Sequence, residues 1–326
     1  MVRLDPVFSE LEKGFLYFFL LLQFEFLNNH TTGSTIPHVN KDLFYSLPIP
    51  LPPLPEQRAI AQVLRTVQRA KEATERVIAA LKELKKSLMR HLFTYGPVPL
   101  GQVDRVPMQE TELGPLPAHW RVVRLGQIVE RTPQVDPRRR TGWRFKYVDV
   151  SSIDNDLMAI RRWQEFDSAN APSRARKLIK TNDVIIATIR PYLKRVTMVP
   201  PELDGEICST AFCVLHAKDD ILNPSYLFFA VINDRFINAI SEHQRGSSYP
   251  AVTDSDILKE HIPLPPLAEQ REIACILQAV DTRIAAEEKR KAALEGLFKT
   301  LLHALMTGRR RVSDVIIKEK EHDSQN

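Results

Sequence analysis

Ile262-Pro263-Leu264-Pro265-Pro266-Leu267-Ala268-Glu269-Gln270-Arg271 repeats Ile49-Pro50-Leu51-Pro52-Pro53-Leu54-Pro55-Glu56-Gln57-Arg58 at an offset of 213 residues. The same offset lays Gly33-Ser34-Thr35-Ile36-Pro37-His38-Val39 on Gly246-Ser247-Ser248-Tyr249-Pro250-Ala251-Val252, and 16 of the 32 positions from Gly33 to Leu64 are identical in the second copy. A solenoid repeats every 20 to 50 residues or so; a period this long is a duplication on the scale of a domain.

Pro is excluded from a helix interior but suits its first turn, so each Pro-rich stretch reads as an extended entry that releases a helix near Glu56 and Glu269. Acidic residues there also favour a helix N-terminus. Downstream, Ile60, Leu64, Val67, Thr74, Val77, Leu81, Leu84, Leu88 and Leu92 recur at steps of three and four. In the second copy Ile273, Leu277, Val280, Leu294, Leu297, Leu301 and Leu305 do the same. Each helix is expected to run roughly 38 residues, about 57 Å. An apolar stripe that long and narrow wants a partner helix, and the shared pattern favours pairing of the two with each other.

Residues 96–118 hold five Pro and three Gly and read as a linker. In residues 119–262 short β-branched or alternating runs at 121–128, 145–150, 184–189, 195–199 and 208–215 suit strands. Asn223-Pro224 then resembles an N-cap with Pro at the first helical position, opening a helix to about residue 240. This region is mixed α and β. By the same offset a first copy of it would begin before Met1, so residues 1–49 read as its last helix and loop, with Phe15 to Leu20 matching Tyr226 to Val231 after a two-residue slip.

The longest apolar run, Phe15 to Leu22, is too short to span a bilayer, and Asp5, Glu10 and Glu12 occupy the place of a secretory signal's basic region. A cytoplasmic chain with no membrane partner is expected. Three Cys make no disulfide framework or zinc site and read as small apolar fillers. Catalytic motifs are decoys: Asn223-Pro224-Ser225-Tyr226 lacks the second Pro of an adenine-methyltransferase loop, and no Gly-rich phosphate loop or nucleophile elbow occurs.

Charge is distributed unevenly. The chain's net charge is +5, yet residues 119–200 carry 17 Lys and Arg against 8 Asp and Glu, a local +9, whereas residues 201–262 carry 4 against 10. A concentration of that kind is the footprint of a phosphate-binding surface. Three groups stand out: Arg138, Arg139 and Arg140 with Arg144 and Lys146 around Trp143; Arg174, Arg176 and Lys177; and Arg190, Lys194 and Arg195 around Tyr192. Ser247, Ser248 and Tyr249 add hydroxyl and backbone donors. Arg beside an aromatic suits both phosphate contact and stacking, and Arg can grip guanine O6 and N7 together in the major groove.

A variable globular region ending in Gly-Ser-x-x-Pro-x-Val, then Ile-Pro-Leu-Pro-Pro-Leu-x-Glu-Gln-Arg and a long helix, all repeated, resembles the specificity subunit of type I restriction-modification systems. The resemblance covers nearly the whole chain. It implies an α+β fold in which mixed α/β target recognition domains are joined by two long helices paired as an antiparallel coiled coil. The implied order is a remnant of a first recognition domain (1–49), a first spacer helix (50–95), the linker (96–118), a complete recognition domain (119–262), a second spacer helix (263–308) and a charged tail (309–326), the chain being N-terminally truncated. The implied partners are double-stranded DNA with a bipartite site, two methyltransferase subunits and a restriction and translocation subunit. Catalysis is then absent from this chain, with S-adenosylmethionine, ATP and Mg acting on the partners. Self-association through the long helices would restore two readers. The competing expectation is a truncated scaffold that binds methyltransferase subunits without reading DNA.

Overall fold

The structure, a computed structural model, describes residues 10–30, 41–155, 157–246 and 250–313. The Gly33 to Val39 stretch, most of the charged tail, and Ser247, Ser248 and Tyr249 lie outside them. Two compact units form, one from residues 1–81 with 284–326 and the other from residues 82–283. The two long helices, Leu54–Tyr95 and Leu267–Met306, are 42 and 40 residues long and contribute to both units. Among the described residues no helix is long and apolar enough to cross a membrane.

In the first unit the long helices run antiparallel. Glu75 pairs with Lys291 at 3.3 Å and Lys71 with Glu295 at 3.9 Å, so numbering falls on one helix as it rises on the other. Such exposed pairs fix register more than they stabilise. Stability comes from a core of Phe15, Phe18 and Phe19 on helix Lys13–Leu22 packed with Ile60, Ala61, Leu64, Leu301, Leu302, Leu305 and Met306. Glu12 caps the short helix, its carboxylate accepting from the Phe15 N–H at 2.6 Å. Gly14 permits the close approach, since a Cβ there would stand 3.1 Å from that of Ala61.

In the second unit Lys85 and Asp281, one on each long helix, pair at 2.6 Å. Strand Val184–Ala187 is buried on both faces, and its alternation divides two cores. Val184 and Ile186 join Cys213 and Leu215 against helix Pro224–Ile232 and the long-helix residues Leu92, Phe93, Ile273 and Leu277. Ile185 and Ala187 join Phe212, Val214, Val148 and Cys208 on the other face. That strand lies second in an antiparallel sheet of Val196–Met198, Val184–Ala187, Phe212–Ala217 and Val129–Glu130. A second sheet orders Gln164–Asp167, Arg144–Val148, Ile207–Ser209 and Ala175–Leu178, its middle pair parallel.

Four local expectations are corrected. The strand from 121 stops at Arg124 and pairs with His261–Leu264, because Leu125 and Ile128, three apart, bury together on a helical turn. The helix from Pro224 ends at Ile232, where extended Asn233 caps a second helix, Asp234–Glu242, by accepting from the Arg235 N–H. The stretch 96–118 is more than a linker: Met108–Thr111 and Gly114–Pro117 form a hairpin turned by Gly114 at φ +82°, with Leu116 fully buried. Cys208 and Cys213 are buried, with thiols pushed up by that burial, but Cys275 is exposed on the second long helix.

The repeated Glu-Gln-Arg acquires a physical role. Gln270, fully buried, accepts from the Asn223 N–H at 2.9 Å and donates to Ile221 O at 3.0 Å and Pro265 O at 2.8 Å. Gln57 accepts from the Glu12 N–H and donates to Glu10 O and Pro52 O, each at 2.8 Å. In both units this glutamine fastens the Pro-rich entry of a long helix to the capped start of an apolar helix. Glu269 adds a second clamp in this unit, accepting from Trp120 Nε1 at 2.9 Å and lying 2.7 Å from His119 Nε2.

Candidate nucleic-acid interface

The first two cationic groups are drawn together by one carboxylate. Asp136 caps the turn Pro137–Arg139, and its oxygens lie 3.8 Å from Arg139 Nε and 3.5 Å from Arg176 Nη1. Arg138 is held to the domain, donating through Nε and Nη2 to Ala171 O at 3.2 and 2.9 Å. Arg139 projects outward, its side chain 86% exposed, and the exposed Arg140 lies 4.7 Å from the centre of the Trp143 ring. The exposed Arg174 follows in the adjacent segment, whose backbone accepts from Thr210 N–H at 2.9 Å.

That contact leads to the third group. The neighbouring Ala211 carbonyl accepts from both the Thr188 N–H at 2.8 Å and the Thr188 hydroxyl at 3.0 Å. Two residues on, the Arg190 N–H donates to Pro250 O at 2.8 Å. The Lys194 ammonium sits on the Asp234 carboxylate, and Arg195 closes the hairpin by accepting from Ala187 N–H at 2.9 Å. The turn at 210–211 therefore ties the Arg174 segment to the 188–195 hairpin, and backbone bonds join Val135 to Arg176 and Arg190 to Pro250 beside it. Arg245 is bound to Ala251 by two backbone hydrogen bonds, and its side chain, 72% exposed, lies 3.5 Å from the Asp256 carboxylate. Sequence reading passed over Arg245 because it stands alone in an acidic segment.

Other candidates face inward or elsewhere. The Lys177 side chain, 8% exposed, donates to Phe212 O at 2.5 Å and to the Asp254 carboxylate, beside a cavity of about 480 Å³. Lys146 donates to Glu202 O at 2.8 Å and lies over the Trp163 ring, so its charge is committed within the domain. Arg144 and Lys146 stand in register with Asp167 and Glu165 across the strand pair, which offsets their charge locally. Asp183 and His216, 2.5 Å apart, occupy the opposite ends of strands Val184–Ala187 and Phe212–Ala217 from these loops.

The type I restriction modification DNA specificity domain, as a sequence family, matches residues 1–83 and 117–296. The chain belongs to that family. This specificity chain is 27% identical over 328 residues to the MjaVIII specificity subunit of Methanocaldococcus jannaschii, covering 97% of its own length and 74% of that protein's. It resembles the crystal structure of the HsdS subunit from Thermoanaerobacter tengcongensis with TM-score 0.51 and 43% identity, over 57% of this chain and 48% of that one. The S subunit of M. genitalium shares the fold over 93% of this chain and 74% of its own, with TM-score 0.60 at 18% identity. The specificity chain's two long helices and mixed domain thus have the architecture expected from its repeats.

Proposed function

We propose that this chain is the DNA-reading subunit of a type I restriction-modification complex, directing methyltransferase and restriction subunits to a bipartite duplex site. The observation that carries the reading is the run of backbone hydrogen bonds that joins the segments of exposed Arg139, Arg140 and Arg174 to one another and to the hairpin of Arg190 and Arg195. Cations spaced over several loops suit phosphates of a duplex backbone, which set affinity and orientation, while bases in the groove between are read by the loops themselves. Long paired helices suit a spacer that fixes the distance between two half-sites. On this reading two methyltransferase subunits and a restriction and translocation subunit supply all the catalysis in the cytoplasm. S-adenosylmethionine, ATP and Mg belong to those partners, and this chain supplies none of the chemistry.

The test is selection from a random duplex pool by the chain co-purified with its methyltransferase subunit. A split motif is expected. Exchanging Arg139, Arg140 and Arg174 together for Gln is expected to lower affinity for all sequences and to reduce the slope of log K against log salt by about 2 to 3, roughly one per phosphate contact. Binding without sequence preference in the unaltered complex would refute the reading and leave a scaffold.

A further inference from the structure

We propose that Tyr192 is a specificity-determining residue that contacts base edges, an inference that rests on the DNA-reading function above. It stands at the tip of the hairpin joining Val184–Ala187 to Val196–Met198, inside the three-residue turn Pro191–Leu193. The residues on either side of that turn, Arg190 and Lys194, both have φ 51°, a left-handed conformation that L side chains rarely adopt. Neither is a glycine, the residue that would relieve it. Such backbone persists only where the surroundings over-determine it, and it concentrates at functional sites.

The surroundings here do so. The Arg190 N–H is held by Pro250 O at 2.8 Å, the Leu193 N–H by Arg190 O and the Lys194 N–H by Pro191 O, both at 2.9 Å. The Lys194 ammonium is anchored on Asp234, and Pro191 is buried beneath the turn. The product is a stiff tip from which one large side chain projects, Tyr192, 50% exposed. Covering the exposed part of that ring with a partner is favourable by about 25 cal/mol per Å² of apolar surface removed from water. Tyr loses little rotamer freedom on contact, and it offers an apolar face together with one hydroxyl that donates or accepts. Arg190 and Arg195 lie two residues before and three after it in the chain, so cationic side chains accompany it at the same hairpin. A neutral aromatic between them is suited to thymine methyls and base-edge donors in a groove.

The experiment compares the full chain with its Tyr192→Ala and Tyr192→Arg variants, each bound to the methyltransferase subunit, in selection from a random duplex pool. Tyr192→Ala is expected to lose preference at one or two base pairs, with affinity for the wild-type site falling about ten- to a hundredfold and affinity for unrelated duplex unchanged. Tyr192→Arg, which keeps a long side chain at the tip, is expected to change the preferred base at the same positions and at no others. Co-purification and thermal unfolding equal to wild type exclude a folding defect. Selection of the wild-type motif by both variants, or an equal loss of affinity for every sequence, overturns the proposal. A wild-type complex that selects no motif overturns the DNA-reading function itself, and this inference with it.

Discussion

Exchanging Gln270 for Leu keeps the side-chain volume but strands three backbone groups: the Asn223 N–H, the Ile221 carbonyl and the Pro265 carbonyl. Gln270 is fully buried, so water does not replace the amide readily. Each unsatisfied buried group costs about 1–3 kcal/mol, and the added apolar contact returns about a third of the sum, leaving a net loss of about 4 kcal/mol. With a urea dependence of about 2 kcal/mol per molar, the unfolding midpoint should fall by about 2 M. The assay is built into the chain: its three Trp, Trp120, Trp143 and Trp163, all lie in the unit formed by residues 82–283, so their fluorescence follows that unit alone. A midpoint shift under about 0.5 M would refute the clamp. The equivalent exchange Gln57→Leu acts in the other unit, and its expected signature is a loss of helical circular dichroism with the Trp transition unmoved.

Three further outcomes follow from named contacts. Asp254→Ala leaves the Lys177 ammonium buried with only the Phe212 carbonyl, and should destabilise the same unit by about 3 kcal/mol in the Trp-fluorescence assay. Asn233→Ala removes the cap that divides Pro224–Ile232 from Asp234–Glu242, at a cost of about 1 kcal/mol of stability, seen as a lower midpoint of thermal unfolding. Burial pushes the Asp183 carboxyl above its ordinary value of 3.8, against the hydrogen bond to His216. A raised folded-state value means this contribution is complete below 3.8 and is lost as pH rises through the folded value. Tm measured against pH should therefore fall less steeply across that acidic window in Asp183→Asn than in wild type.

The long helices were legible because their signals are local. Pro cannot enter a helix, and Ile60, Leu64 and Ile273, Leu277 keep the spacing of one face, so entry, length and stripe all sit in contiguous sequence. The capping Asn223 was legible for the same reason, and Asn233 was missed because its neighbours on both sides continue an apolar helical pattern. The candidate interface was only partly legible. Composition marks residues 119–200 as basic, yet nothing local separates Lys177, which is buried on Asp254, from Arg174 three residues earlier, which is exposed. That distinction is made by strand Ala175–Leu178, whose alternation turns Ala175 and Lys177 inward. Arg245 required the pairing with Ala251, a tertiary fact that charge counting over a window cannot supply.

The two glutamines explain how scaffold and reader can share one chain without constraining each other. Every partner of Gln57 and Gln270 is a main-chain atom: an N–H at Glu12 or Asn223, and carbonyls at Glu10, Pro52, Ile221 and Pro265. A clamp of this kind recognises the path of the backbone and is indifferent to the side chains it carries. The two apolar helices it holds show this directly. Tyr226 stacks on Phe93 at 5.3 Å and donates its hydroxyl to Pro263 O, whereas its counterpart Phe15 has no hydroxyl and packs in a different cluster, yet both helices begin on the same three-bond glutamine. Loops carrying Arg139, Arg174 or Tyr192 lie outside this set of bonds, so substitutions in them leave the attachment of the domain to its helix in place.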